Sequence, residues 1–217
     1  MVKGVIFDMD GVLVDNKKAH IEAFVNFCAL HGIDIKGMDL SWMYGKGNDE
    51  IIPRLLPKHI IEKYGIKALG DEKEAVYRKA YASNMKPVPG LIRFLDDLYS
   101  NNVIIAVGSS APVENIDFVL DGLGIRKYFS VFVNGDMVPR AKPDPAIYLL
   151  SLEKLGLAAS ECIVMEDSFA GIESANNAGI KVVALATTNT AEALTRAKVE
   201  MIVPDFTSLS YSKIAEL

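Results

Sequence analysis

The chain has 217 residues, half of them hydrophobic and about a quarter charged, with a formal net charge of −5. That supplies one sizeable core, or one core carrying an insertion, and no apolar run approaches the length of a membrane span. The negative balance excludes a global basic field of the kind that holds duplex nucleic acid or an anionic membrane, so the expected partner is a small molecule.

The N-terminus opens on Met-Val-Lys and enters a strand pattern at once, without a long apolar segment or a small-residue cleavage site, so no secretion signal is expected. Cys28 and Cys162 both lie within apolar patterns and no Asn-x-Ser/Thr sequon occurs. These features predict buried thiols in a reducing, cytoplasmic setting.

Val5-Ile6-Phe7 is a short apolar run that ends in an acidic cluster, with Asp8, Asp10 and Asp15 inside eight positions. Similar runs recur at 103–107 (VIIAV), 131–133 (VFV), 162–165 (CIVM), 181–185 (KVVAL) and 201–203 (MIV). They are continuously apolar instead of alternating, as strands covered on both faces are. Between them, 112–122 opens on Pro112 and aligns Val113, Ile116, Val119 and Leu120, which predicts a helix. Residues 168–178 run from a capping Ser168 to a stop at Gly179. Strand and helix alternating in this way predict an α/β fold, a doubly wound parallel sheet joined by right-handed crossovers.

Residues 15–88 break the rhythm. Ile21, Phe24, Val25 and Cys28 fall at i, i+3, i+4 and i+7, and 71–85 mixes charge with Ala75, Val76 and Tyr81, so both read as amphipathic helices. Pro87-Val88-Pro89-Gly90 then punctuates the return to the sheet pattern. The expected organisation is an α/β core of 1–14 and 89–217 with a helical cap inserted at 15–88, at the end of the sheet where such folds bind ligands.

The run 162–165 also ends in carboxylates, Glu166 and Asp167. Carboxylates brought together repel one another unless a cation sits between them, and hard oxygen donors suit Mg²⁺. Two more loops fall at the same edge. Gly108-Ser109-Ser110-Ala111-Pro112 offers hydroxyls and backbone N–H groups, and Lys142-Pro143-Asp144-Pro145 offers a cation on a stiffened backbone. Together they form an inventory for metal-dependent phosphoryl transfer.

The stretches DMDGVLVD, GSSA, KPDPAIY and EDSFAGIESANNAG, in this order, resemble the four motifs of the haloacid dehalogenase superfamily, and the inserted segment resembles the helical C1 cap of its β-phosphoglucomutase-like phosphatases. The resemblance implies Asp8 as the nucleophile that forms an aspartyl phosphate and Asp10 as the acid and base. It implies Mg²⁺ on Asp8, the Asp10 carbonyl and Asp167, with Glu166 either a further ligand or a partner behind them. Ser109 and the amide after it, with Ser110 beside them, would bind phosphoryl oxygens, and Lys142 would pair with Asp8 and phosphate. Asp15 is expected to begin the hinge or cap the next helix, and Asp144 and Glu161 to be solvated or capping carboxylates.

In the cap, the resemblance points to His20, Lys46 and Asn48 as substrate-binding residues, with Lys79 as a further cation. The family's mutases carry an arginine near Asn48 to hold a second phosphate, and this chain does not. The expected activity is therefore Mg²⁺-dependent hydrolysis of a small phosphate monoester, a sugar phosphate being the favoured case. β-Phosphoglucomutase is the alternative; pyrophosphate hydrolysis and a non-enzymatic phospho-acceptor or binding protein are further alternatives. A monomer is expected, with a dimer left open.

Overall fold

The computed structural model describes residues 1–43 and 47–217. Six strands form one sheet: β1 (Gly4–Phe7), β2 (Ile104–Gly108), β3 (Phe129–Val133), β4 (Cys162–Glu166), β5 (Lys181–Leu185) and β6 (Met201–Val203). Every pairing is parallel and the order is β3-β2-β1-β4-β5-β6. The inner strands β1 and β4 are buried throughout, whereas the edge strands β3 and β6 are partly exposed. That contrast explains why the central strands are the continuous apolar runs of the sequence.

The chain divides into two compact units, Met1–Asp15 with Met85–Leu217, and Asn16–Asn84. In the first, the helices are α5 (Leu91–Ser100), α6 (Val113–Gly122), α7 (Ala146–Leu155), α8 (Phe169–Asn177), α9 (Ala191–Leu194) and α10 (Tyr211–Ala215), numbered after those of the second unit. Side chains alternate across each strand. Ile6, Ala106, Val164 and Val182 therefore pack on one face with Ile147 and Tyr148 of α7 and Ile172 and Ala175 of α8. Phe7 points the other way into an aromatic cluster, with ring centroids 6.2 Å from Phe94, 6.0 Å from Phe129 and 5.9 Å from Phe206. Where the chain leaves and re-enters this unit, Val14 and Pro87 form an antiparallel bridge and Val88 N–H donates to the Leu13 carbonyl at 3.0 Å.

The second unit is helical: α1 (Lys17–Leu30), α2 (Asn48–Leu55), α3 (Lys58–Tyr64) and α4 (Ile66–Tyr81). Its own core gathers Phe24, Phe27, Cys28, Ile35, Leu40, Ile51, Ile52, Ile60 and Leu69. Two details differ from the sequence reading. The buried face of α1 is Ala23, Phe24, Phe27 and Cys28, with Ile21 and Val25 only packed at its margin. Helix α4 begins at Ile66, straight after Gly65 at φ +80°, and ends at Tyr81; glycine adopts that backbone without a Cβ penalty and so sets the earlier start. Cys28 and Cys162 are buried free thiols. Among the described residues no helix is long and apolar enough to cross a membrane.

Candidate active site

The strand order reverses direction between β1 and β4, and open α/β sheets bind ligands beyond the carboxyl ends of strands at such a switch point. Register decides what meets there. Phe7 lies beside Met165 on one side and Val107 on the other, so Asp8 emerges level with Glu166 and Gly108. The Asp8 N–H donates to the Met165 carbonyl at 3.0 Å, which prolongs the ladder by one bond and fixes the backbone under the carboxylate.

Lys142 reaches into this corner from the loop before α7. Its Nζ donates to Asp8 Oδ1 and Glu166 Oε1, both at 2.7 Å, to Tyr148 Oη at 2.9 Å and to the Gly108 carbonyl at 3.2 Å. Tyr148 in turn donates its hydroxyl to Glu166 Oε1 at 2.9 Å. Sequence reasoning missed Tyr148. It lies in the KPDPAIY stretch, but helical spacing reads it as one more apolar contact of α7; its polar end is visible only in the fold.

Glu166 is the most heavily engaged group. Oε2 accepts from the Asp167 N–H at 2.9 Å, the Ser168 N–H at 3.0 Å and the Ser168 hydroxyl at 3.1 Å, besides the two donors on Oε1. A carboxylate has about four lone-pair sites, so five donors leave little for a metal. Of the two roles open for Glu166, the geometry favours the partner behind the ligands. Gly171 makes the space: a Cβ there would sit 1.7 Å from Glu166 Oε1. Ser168 caps α8, accepting from the Gly171 N–H at 3.0 Å.

The protonation balance follows from burial. Burial works to raise the Glu166 pKa, but the Lys142 ammonium and the hydrogen bonds hold it below the ordinary value. Burial would lower the Lys142 pKa, yet Asp8 and Glu166 raise it well above the usual lysine range. Asp8 is pushed up to about 7 by burial first; Lys142 opposes, and Glu166 and Asp10 add to the rise. Asp167 is raised well above the carboxylate range by burial and then by Glu166 and Asp8.

Asp8 and Asp167 are only 7% and 3% exposed, and the Lys142 ammonium is shared between Asp8 and Glu166. This surplus of buried negative charge is what a hard cation would relieve. Among the described residues no three His, Cys, Asp or Glu side chains form a preformed metal cage. The donors on offer are Asp8, Asp167 and the Asp10 carbonyl in the turn after Asp8. That set suits Mg²⁺, which keeps several waters and takes one or two carboxylates together with substrate phosphate.

Asp10 is half-buried, and the turn continues through Gly11 at φ +78°, whose N–H donates to the Val14 carbonyl at 2.7 Å. Ser109, directly after β2, is buried, its N–H bonded to the Val133 carbonyl and its Oγ accepting from the Ala111 N–H at 3.3 Å, while Ser110 is exposed. Asp144, one residue before the N-cap of α7, accepts from the Ala146 N–H at 3.0 Å and pairs with Arg140 at 2.8 Å, and Glu161 pairs with Lys3 at 2.6 Å. Asp15 is exposed, and the N-cap position of α1 falls to Asn16. A further loop, Thr187-Thr188-Asn189 after β5, bonds to Gly11 and Asp167 and carried no motif signal in the sequence.

Within the helical unit, a polar cluster around buried Lys73 and Glu74 contains two of the expected substrate residues, His20 and Asn48, both half-buried. Lys73 Nζ lies 2.9 Å from His20 Nδ1 and 2.9 Å from Glu74 Oε1, and Asn48 Nδ2 donates to Glu74 Oε1 at 2.8 Å. His20 also stacks on Tyr77, with ring centroids 4.0 Å apart. Lys73 and Glu74 were not singled out by sequence, because a Lys-Glu pair in a charged helix reads as solvated. Lys79 is exposed and sits six residues along α4 from Lys73, about 240° round the helix, so the structure does not bring it into this cluster. Lys46 lies outside the described residues.

The family model described as haloacid dehalogenase-like hydrolase matches residues 5–185. The chain is 34% identical over 184 residues to a phosphorylated carbohydrates phosphatase of Thermotoga maritima, covering 83% of each protein. It is 29% identical over 187 residues to the fructose-1-phosphate phosphatase YqaB of Escherichia coli, covering 83% of this chain and 94% of that one. Among solved structures it is similar to a β-phosphoglucomutase of Clostridium difficile, with a TM-score of 0.81, 28% identity and coverage of 100% and 96%. The match over both acidic strand ends, the lysine between them and the parallel sheet that carries them together place this chain in the haloacid dehalogenase-like hydrolases.

Proposed function

We propose that this hydrolase is a Mg²⁺-dependent phosphatase that cleaves a small phosphate monoester, a sugar phosphate being the favoured substrate, through an aspartyl phosphate on Asp8. The observation that carries the reading is the Asp8 carboxylate held at 2.7 Å by buried Lys142 at the end of a central strand, level with Glu166 and near enough to Asp167 to raise its pKa. Lys142 fixes Oδ1, which leaves Oδ2 to attack phosphorus. As that bond forms, the bond from phosphorus to the ester oxygen breaks, and Asp10 delivers a proton to the departing alcohol. Asp10, now a carboxylate, takes a proton from water; the water oxygen bonds to phosphorus, the bond to Asp8 breaks, and inorganic phosphate is released. Ser109, whose oxygen already accepts from Ala111, has its hydroxyl proton to offer a phosphoryl oxygen. Mg²⁺, held by Asp8, Asp167 and the Asp10 carbonyl, would supply positive charge against the phosphoryl oxygens and the carboxylates.

The choice among phosphate esters is assigned to the polar cluster of the helical unit, His20, Asn48, Lys73 and Glu74. There Lys73 is balanced by Glu74 and the Asn48 amide is committed to the same carboxylate, which favours a neutral polyol over a second phosphate. The two phosphatase relatives, named for phosphorylated carbohydrates and fructose 1-phosphate, support the same substrate class. The β-phosphoglucomutase likeness sustains the mutase as second reading. A phosphate-release screen with Mg²⁺ over sugar phosphates, other small monoesters and pyrophosphate tests the proposal. It should be paired with isomerisation of β-glucose 1-phosphate, with and without the 1,6-bisphosphate. Release from a sugar phosphate well above isomerisation is expected, and isomerisation well above release would overturn the hydrolytic assignment.

A further inference from the structure

Three consecutive polar side chains follow β5, and each is committed to the acidic corner. Thr187 Oγ1 donates to the Gly11 carbonyl at 2.5 Å, the Thr188 hydroxyl bonds to the Asp167 carboxylate, and Asn189 Nδ2 donates to the Asp167 carbonyl at 2.9 Å. The three targets belong to two different strand ends, those of β1 and β4. Packing at the junction is tight: a Cβ on Gly11 would lie 1.9 Å from Asp167 Oδ2 and 2.9 Å from Thr188 Oγ1. Carboxylate and hydroxyl thus share one crevice under the turn that carries Asp10. Lys142 bonds to Asp8, Glu166, Tyr148 and Gly108, so orientation of Asp167 falls to this loop.

We propose that the Thr187–Asn189 loop is a clamp that locks Asp167 to the Asp8–Gly11 turn, and that the Thr188 hydroxyl is a positioning residue setting how tightly the site holds a divalent cation. The inference rests on the metal-dependent reading above. A hydroxyl that donates to a carboxylate ligand restricts its rotation and keeps one oxygen aimed, and loss of such a partner commonly costs about 10- to 100-fold in metal affinity. A merely structural threonine would affect melting but not affinity at a temperature where the protein is folded.

The test is direct Mn²⁺ binding, read by electron paramagnetic resonance on parent, Thr188→Val and Thr188→Ser, with melting of each measured in chelator. Valine keeps the shape and removes the hydroxyl; serine restores it. Thr188→Val is expected to bind Mn²⁺ about 10-fold or more weakly, with Thr188→Ser near the parent. Parent-like binding by Thr188→Val would overturn the clamp. Should Thr188→Val fail to fold, Asn189→Ala carries the test, with several-fold weaker binding expected and unchanged binding overturning it. A parent protein that binds no Mn²⁺ would instead remove the metal-dependent reading, and the clamp with it. Binding is measured without substrate, so the result stands apart from which ester is hydrolysed.

Discussion

Asp8 and Glu166 show how one lysine creates two different carboxylates. Both are buried and both accept from Lys142 at 2.7 Å, but Glu166 has four further donors and stays ionised, whereas Asp8 is raised to about 7 by its burial and its acidic neighbours. Asp8→Asn keeps the shape and the lysine contact but removes the attacking oxyanion. Turnover should fall below detection in a phosphate-release assay while circular dichroism stays near the parent; measurable multiple turnover would remove Asp8 as nucleophile. Gly171→Ala tests the other carboxylate. Alanine is intrinsically favoured over glycine in a helix by about 1 kcal/mol. Here the added methyl would land 1.7 Å from Glu166 Oε1 and 2.0 Å from its carboxyl carbon, so Glu166 must move and abandon its donors. Disrupting a buried ion pair costs about 3–5 kcal/mol, which outweighs the propensity gain. Displacing Lys142 with it should cost activity about 100-fold, since misplacements near 1 Å do. Urea unfolding and kcat/KM would check both, and a stabilised, fully active variant would show that Glu166 is not confined.

At the scale of elements, the sheet was legible because inner parallel strands are buried on both faces and so cannot hide their apolar character. The runs 162–165 and 181–185 match β4 and β5 to within one residue, while the start of β3 at Phe129 was missed where an edge strand mixes in Ser130. The acidic strand ends were legible for a related reason: charge directly after a buried run has few innocent explanations. Tyr148, Thr188 and Lys73 were not legible. Tyr148 looks like core, Thr188 like a turn, and Lys73 like solvated surface, and only tertiary pairing reveals otherwise. The element α4 allows this contrast to be measured. Lys73 is 3% exposed in its side chain and bonded to Glu74, whereas Lys79 is exposed. Lys73→Met leaves the Glu74 carboxylate buried without its cation and should cost about 3–5 kcal/mol by urea unfolding. Lys79→Ala should stay within about 0.5 kcal/mol. Equal small effects would mean that the Lys73–Glu74 pair is solvated in solution and that the cluster is not a fixed element of the helical unit.

For the molecule as a whole, the acidic corner is a liability that the rest of the fold must carry, and pH exposes how large it is. In chelator, Asp8 titrates near 7 and Asp167 well above the usual range, against about 3.9 for an aspartate in the unfolded chain. From about pH 4 upward the folded protein therefore binds more protons than the unfolded one, so its stability falls as pH rises. Glu166 acts in the opposite sense, but its lowered pKa places that contribution at acid pH, where stability is lost as the pH drops. The window from about pH 5 to 8 is left to the two raised aspartates, and Asp8 alone is worth on the order of 4 kcal/mol when fully ionised. A divalent cation needs the deprotonated carboxylates and binds only the folded site, so its protection grows across the same window. Scanning calorimetry with EDTA should show the melting temperature falling from pH 5.5 to pH 8, and excess Mg²⁺ should raise it little at the lower pH and by several degrees at the higher. Asp8→Asn removes one of the two titrating charges, so it should flatten the EDTA profile and shrink the Mg²⁺ effect together. A melting temperature in EDTA that rises steadily to pH 8, or an Mg²⁺ effect of equal size at both pH values, would mean that the clustered charge is relieved by something other than a bound cation.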